Sequence, residues 1–369
     1  MSVTVSTIDS DGTRRRKRVT LADVARESNL SPAAVSLALR GEAGVSRETR
    51  DRVAETARRL GYRVGTRSSV RRGHQTTVGL VIKAPHGDAP EANRFYAPVM
   101  TGIEEICRIR EVDLLFAAMP VDDEYYPLEV PRLLSERTCD GLIVVGAHLS
   151  RGTAAMMEDG PPSILVDAYA EDVAFDCVVS DNLAGARAAV EHLIANGHRD
   201  ICLVGSRPDS YPSILQRRRG YEQAITEAEL PTHYVDVAYA PPEAAAAAAI
   251  RYLEAHPEVT AAFCCNDAVA VALIQAARPA GIDVPGRLSL VGYDDIDLAR
   301  YVSPQLTTMA VDKLGMGRLA VTLLLHRMEF GEAAMTQAFI RPRLVERGSV
   351  GRIGAPALAT GSPRQVSFG

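Results

Sequence analysis

No stretch of the 369 residues is apolar over the roughly eighteen positions that a membrane-spanning helix requires. The N-terminus carries charges where an export signal would place an apolar core, so the expectation is a protein that stays in the cytosol. Six cysteines (Cys107, Cys139, Cys177, Cys202, Cys264, Cys265) contain no CxxC pair and no His spacing suited to a metal, which reads as reduced, mostly buried thiols and no metal site. A P-loop, an HExxH and a GxSxG are all missing. Gly315-Met316-Gly317-Arg318-Leu319-Ala320 fits GxGxxA, but Lys313 and Leu314 already begin an amphipathic helix that runs to Leu323, Leu324 and Met328. Neither an enzyme nor a bound cofactor is therefore expected. An apolar fraction of 47% and a charged fraction of 24% exclude low-complexity and collagen-like chains and leave an ordinary globular protein with room for two or three domains.

Charge is distributed unevenly. Residues 1–75 hold 16 of the 41 Lys and Arg but 8 of the 46 Asp and Glu, a balance of +8, so the remainder carries −13 and the whole −5. A basic module fused to an acidic body points to a polyanion as partner of the first and a separate task for the second.

Within the basic module, residues 1–18 end in Arg14-Arg15-Arg16-Lys17-Arg18, a self-repelling run that reads as a flexible arm. Thr20 followed by Asp23 forms an acidic capping box, with Leu21, Val24, Ala25 and Ser28 on one helical face. That helix ends near Asn29, and Leu30 plugs the turn. Ser31-Pro32 starts a second helix in which Val35, Ala38 and Leu39 face inward and Ala33, Ser36, Leu37 and Arg40 face outward. Ser46 caps a third, with Val53, Ala54, Ala57 and Leu60 as its inner stripe and Gly61 as its stop. A tight turn that presents the outer face of a second helix suits a DNA major groove.

Val19-Thr20-Leu21-Ala22-Asp23-Val24-Ala25, Leu30-Ser31-Pro32-Ala33-Ala34-Val35-Ser36, Val45-Ser46-x-x-Thr49-Arg50 and Leu60-Gly61-Tyr62 closely resemble the DNA-binding head of the lactose/galactose repressor family. The resemblance implies that Pro32, Ala33, Ser36 and Leu37 lie over base edges and that Thr20, Ser31, Arg40, Ser46, Thr49 and Tyr62 contact phosphates. Pro32, Ala33 and Leu37 depart from the polar or Arg residues common there, and apolar groups read only a thymine methyl or shape.

Residues 66–75, TRSSVRRGHQ, form a polar and basic linker after the head at 19–65. The resemblance implies a hinge helix in the minor groove with a leucine wedge. Here Arg71 falls on the wedge position and Val64-Gly65 replace the usual Pro-Asn, which counts against wedge insertion. Val70 can substitute there, and Arg67, Arg71 and Arg72 can still track a narrow groove.

From 76 to 348 short apolar runs alternate with helical stretches: Val78–Ile82, Leu114–Phe116, Leu142–Val145, Ile164–Val166, Ile201–Val204, Ala262–Cys265 and Leu288–Val291. Continuous apolar strands between helices mean parallel sheets covered on both faces, an α/β class, and the length favours two Rossmann-like lobes with a cleft between them. Ligands of such sheets sit beyond the carboxyl ends of strands. Asp167, Asn266 with Asp267, and Asp294 with Asp295 follow successive strands, and Phe95-Tyr96 and Arg217 join them from helices. Singly, Asn266 and Asp267 read as helix caps, Asp294 as a turn former and Arg217 as part of a solvated basic trio; jointly they argue for one cleft suited to a small hydroxylated or heterocyclic ligand.

The resemblance extends over nearly the whole chain through Asp181-Asn182, Gly197-His198-Arg199, Arg217-x-x-Gly220-Tyr221, Cys265-Asn266-Asp267, Val284-Pro285, Val291-Gly292-Tyr293-Asp294 and Pro304-x-Leu306-Thr307-Thr308. It implies a body like the type I periplasmic binding proteins, with Phe95, Tyr96, Asp167, Arg217, Phe263, Asn266 and Asp294 at effector-contacting positions. His198 reads as a packing residue. Residues 349–369, rich in Gly, Pro, Ala and Ser and without a heptad pattern, read as a disordered tail.

The combined reading is a cytosolic repressor that binds a double-stranded DNA operator as a homodimer under control of a sugar or nucleoside-like effector, with no membrane partner. The last helical run, with Ile103 and Ile106, is one candidate for the dimer face. Two alternatives are a solute-binding receptor without DNA function, which the basic head opposes, and an α/β enzyme with a regulatory head, for which no nucleophile or acid/base pair is found.

Overall fold

Thr20 opens the first helix, α1 (Leu21–Ser28), by a reciprocal cap in which its hydroxyl accepts from the Asp23 amide while the Asp23 carboxylate accepts from the Thr20 amide at 2.9 Å. Asn29 closes it with a left-handed backbone, φ 54°. Ser31 accepts from the Ala34 amide at 3.1 Å and starts α2 (Pro32–Arg40); Ser46 accepts from the Thr49 amide at 3.2 Å and starts α3 (Arg47–Leu60). Val24, Ala25, Val35, Ala38, Val53 and Ala57 form the core of this unit, with Leu21, Leu30, Leu39, Val45 and Leu60 around it. The three buried valines contribute roughly 1.5–3 kcal/mol each, which matters in so small a core.

The computed structural model describes residues 20–40, 45–60, 75–85, 94–136, 138–237, 241–331 and 334–353. They belong to two compact units that divide between Ser69 and Val70.

The second unit contains two six-stranded sheets. One is built from β1 (Thr77–Pro85), β2 (Asp113–Val121), β3 (Gly141–Val145), β5 (Ser163–Val166), β7 (Asp176–Ser180) and β13 (Gln337–Ile340), in the order β13-β7-β5-β3-β1-β2 and parallel throughout. Two short strands, β4 (His148–Leu149) and β6 (Tyr169–Ala170), pair beside it. The other sheet holds β8 (Ile201–Val204), β9 (Thr232–Val235), β10 (Ala261–Cys264), β11 (Ser289–Asp294), β12 (Thr307–Ala310) and β14 (Arg343–Val345), ordered β14-β12-β11-β10-β8-β9, with β14 antiparallel at its edge. Each expected run overlaps a strand, with Cys265 and Leu288 falling just outside β10 and β11; β4, β6, β7, β9, β12, β13 and β14 were not anticipated. The chain passes between lobes after β7, again through α12 (Lys313–Glu329) to β13, and a third time from β13 to β14.

Helix α4 (Tyr96–Ile109) crosses α12 at very short range. A Cβ on Gly102 would strike the Leu314 carbonyl and one on Gly317 the Val99 carbonyl. The GxGxxA match therefore lies in the first turns of a helix capped by Asp312, where Gly317 allows close packing, and Ile103, fully buried in that packing, is unavailable as a dimer face.

The expected tail begins too early. Ser349 is fully buried, its hydroxyl donates to the Leu290 carbonyl at 2.6 Å and accepts from the Thr307 amide at 2.8 Å, and Ile353 bonds to Asn196. Residues 354–369 lie outside the described residues. His198 packs, with its ring nitrogens 2.9 Å from the Thr260 hydroxyl and 3.2 Å from the Gly351 carbonyl.

Candidate functional site

In the first unit Ser31 and Pro32 are exposed at the start of α2, and Ser36 and Leu37 are half-exposed one turn on, beside the buried Val35 and Ala38. Ala33 and Arg40 lie on the same helix. Thr20, Ser46 and Thr49 stand at helix starts, where free backbone amides favour anions; the Ser46 and Thr49 hydroxyls are 2.8 Å apart. Tyr62, Arg67 and Arg71, with the rest of the linker as far as His74, fall outside the described residues, and Gln75 donates to Asp113 Oδ1 at 3.0 Å.

In the second unit the strand ends converge between the lobes. Asp167, just after β5, has φ 44°, and Asp294 and Asp295, ending β11, have φ 112° and 51°. Non-glycine residues keep such backbones only where surrounding contacts enforce them. Asp167 is enclosed: Tyr96 donates to its Oδ2 at 2.8 Å, and Tyr211, the residue that begins α8 (Pro212–Glu227), donates to its carbonyl at 2.7 Å. Tyr211 also lies 3.2 Å from the Ala147 carbonyl, so a hydroxyl of the second lobe binds backbone of the first. Burial raises the Asp167 carboxyl, and Lys83 and Tyr96 oppose that rise.

Arg217, from α8, is the second focus. Its Nε donates to Asn182 Oδ1 at 2.9 Å, Nη1 to the Cys265 carbonyl at 2.5 Å and Nη2 to Asp294 at 3.1 Å, with the guanidinium 3.8 Å from the centre of the Tyr293 ring. Burial pushes the Asp294 carboxyl up to about 6 against the pull of Arg217 and Lys313. Lys313 donates to the carbonyls of Asp294 and Asp295 and lies 5.9 Å from the Phe95 ring. Asp267 accepts from Thr308 at 2.6 Å and from the Ile296 amide at 2.9 Å, which ties β12 to the β11 loop.

Arginine, lysine, carboxylates and phenol rings around one junction can bind a small polyfunctional molecule by directed hydrogen bonds and ring stacking. Two family patterns match the chain: bacterial regulatory proteins of the lacI family over residues 20–64 and a periplasmic binding protein-like domain over residues 190–350. The chain is 30% identical over 338 residues to the ribose operon repressor of Haemophilus influenzae, covering 90% of this chain and 98% of the relative. This chain belongs to the lacI family. It is a DNA-binding transcriptional regulator with a helix-turn-helix head and a two-lobed periplasmic-binding-protein-like body.

A second lacI-family relative, the HTH-type transcriptional repressor PurR of Aliivibrio fischeri, is 29% identical over 338 residues, covering 90% of this chain and 98% of the relative. Among solved structures, the complex of the transcriptional regulator CelR with cellobiose matches at a TM-score of 0.63 and 25% identity over 90% of this chain and 100% of that one. The lac repressor dimer bound to operator and the anti-inducer ONPF has the same fold, with a TM-score of 0.62 and 22% identity over 91% of this chain and 100% of that one. These relatives are regulators. Among the described residues of this lacI-family chain, no helix is long and apolar enough to cross a membrane.

Of the seven residues read from sequence as effector contacts, Phe95, Tyr96, Asp167, Arg217 and Asp294 meet at the junction. Asn266 is close by, with its side-chain oxygen spent on capping α10 (Asp267–Ala277) through the Val269 amide at 2.9 Å. Phe263 differs: it sits mid-strand in β10, fully buried in the main apolar core with Tyr293, because its position on the strand turns it inward, away from the strand end. Lys83, Tyr125, Tyr169, Asn182, Tyr211 and Lys313 were missed. Asn182 left a signal in the Asp181-Asn182 family match; Lys83, next to the run that the sequence reading ends at Ile82, proves to lie inside β1 as its lone charge. Away from the junction, His233, His256 and Glu258 bring ligand atoms within 4.8 Å of one another, but both His233 nitrogens are engaged, by the Tyr252 hydroxyl at 3.1 Å and Asp200 at 3.2 Å.

Proposed function

We propose that this regulator is a cytoplasmic, homodimeric repressor without enzymatic activity, whose grip on a pseudo-palindromic operator is set by a small hydroxylated or nucleoside-like effector bound between its lobes. The supporting observation is the convergence at one lobe junction of Asp167, Arg217 and Asp294, each buried and each bonded to a different element. A molecule that replaces some of these bonds prefers one lobe arrangement, and by linkage that preference changes DNA affinity. The name of the Haemophilus relative and the cellobiose in the CelR complex favour a sugar.

In the head, Pro32, Ala33, Ser36 and Leu37 are the base-facing set, and Thr20, Ser31, Arg40, Ser46, Thr49 and Tyr62 the phosphate set, with Arg67 and Arg71 of the linker following the minor groove. Phe95, Tyr96, Asp167, Arg217, Asn266 and Asp294 serve the effector.

The test is a gel shift against the DNA upstream of the chain's own gene. Binding that falls steeply with salt and disappears on deletion of residues 1–75 supports the reading. No shift at low salt from the intact protein, with or without candidate effectors, overturns it.

A further inference from the structure

Lys83 interrupts an otherwise apolar strand, and the fold does not let its ammonium escape. The residue is only 6% exposed, near the carboxyl end of β1 where the lobes meet. Its Nζ lies 3.3 Å from the centre of the Tyr125 ring, 5.0 Å from that of Tyr211 and 5.2 Å from that of Tyr96. These rings come from three segments, and Tyr211 comes from the second lobe. Among the described residues Lys83 donates no hydrogen bond and enters no ion pair; Asp167 acts on it only through space.

An ammonium carries three N–H donors. Ring faces attract its charge but supply no lone pairs in the donor directions, so among the described residues the ammonium has no protein acceptor and is left to what reaches it from the junction. The neighbouring charges behave differently. All three nitrogens of Arg217 are engaged, and Lys313 is held by two carbonyls.

A second observation comes from the charge balance. Three cations, Lys83, Arg217 and Lys313, meet two carboxylates, Asp167 and Asp294. Asp267 adds no charge near neutrality, since burial and Asp294 push its carboxyl up to about 8. Asp295 is matched by Arg300 and Arg347. Counted by formal charge, three cations face two carboxylates, and of those cations only Arg217 is ion-paired among the described residues.

We propose that the effector is acidic, a hydroxylated small molecule bearing a carboxylate or phosphate, and that Lys83 is the residue that selects it by taking the anionic oxygen. This rests on the reading of the junction as the effector site and narrows its ligand class. The anion gives the ammonium the acceptors that the rings lack. Because Tyr211 also closes the cage, occupancy bears directly on how the second lobe meets the first.

The experiment is a thermal-shift and calorimetric panel on the full-length protein at matched ionic strength. It compares D-gluconate, D-glucuronate, ribose 5-phosphate and glucose 6-phosphate with glucose, ribose, cellobiose, adenosine and guanosine, with inorganic phosphate as ion control. The expected result is that at least one acid stabilises the protein while its neutral parent does not, and that its affinity falls at least tenfold in Lys83→Met and in Lys83→Gln, both checked for intact folding by circular dichroism and a cooperative melting transition. Response to carboxylates alone or to phosphates alone identifies the anionic group. Neutral ligands that bind wild type and Lys83→Met equally, with acids inactive, overturn the inference while leaving the effector site in place. Acid binding that Lys83→Met and Lys83→Gln leave unchanged also overturns it. If no compound stabilises the protein, or if binding is indifferent to Arg217→Lys and Asp294→Asn, the effector-site reading itself fails and the inference goes with it.

Discussion

Nη2 of Arg217 lies 3.1 Å from Oδ1 of Asp294, and both side chains are almost completely withdrawn from solvent. A helix of the second lobe supplies the cation and the end of β11 the anion, while the other guanidinium nitrogens reach Asn182 and the Cys265 carbonyl. In the effector site proposed above, this geometry holds the shape of the junction before a ligand arrives.

Removing one partner leaves the other charge buried and alone, which costs more than the pair is worth. Arg217→Met is expected to lower stability by roughly 3–5 kcal/mol, and the double variant Arg217→Met/Asp294→Leu to recover much of that loss. Urea unfolding of the single and double variants is the measurement; additive losses would contradict the coupling.

Tyr211 bonds across the lobes, and its hydroxyl is the only atom removed in Tyr211→Phe. Loss of the bonds to Ala147 and Asp167 is expected to cost about 1 kcal/mol and to widen the spread of lobe arrangements. Small-angle scattering of the ligand-free protein would detect the second effect as a larger radius of gyration, and an unchanged radius would argue against it.

The Lys83 ammonium is lowered by burial from 10.5 to about 8, with Asp167 opposing. The folded protein then holds fewer protons than the unfolded chain between those values, so stability rises as pH climbs from 8 toward 10.5, and the full penalty is present below 8. Wild type should gain on the order of 3 kcal/mol relative to Lys83→Met across that window. Parallel melting curves for the two proteins from pH 7 to 10 would contradict this.

Gly317 faces the Val99 carbonyl across the α4–α12 crossing. A methyl group there has to push two helices apart, so Gly317→Ala is expected to cost roughly 1–3 kcal/mol, visible as a lower melting temperature. A neutral result would mean that the helices slide without loss.

With Ile103 buried, self-association has to use other exposed apolar surface, and the first lobe offers one such patch. Leu115 and Phe116, on the edge strand β2, are 40% and 49% exposed, next to Ile109 at 60%. Phe116→Glu is expected to shift the protein toward monomer in sedimentation and, through loss of paired heads, to weaken operator binding by at least tenfold. A variant that stays dimeric would place the interface on another face.

Much of the head could be read directly from the chain because its determinants are local. Thr20 with Asp23, Ser31 with Pro32, and Ser46 with Thr49 act within one helical turn, and the valine spacing identifies the core face. The body was legible where strands are apolar on both sides, as in Leu142–Val145. It was not legible at β7, β9, β12, β13 and β14, which are short, polar or at an edge and owe their strand form to pairing with a neighbour.

The amino-acid order alone therefore set the charge asymmetry, the helix caps, the α/β alternation and most of the strand-end residues, since these depend on neighbours a few positions apart. Only the tertiary structure decided that Phe263 faces the core, that Gly317 serves a helix crossing, that β13 returns to the first lobe, and that Lys83 is caged by tyrosines from distant segments. Those outcomes depend on strand order and lobe crossings, which bring together side chains more than a hundred residues apart.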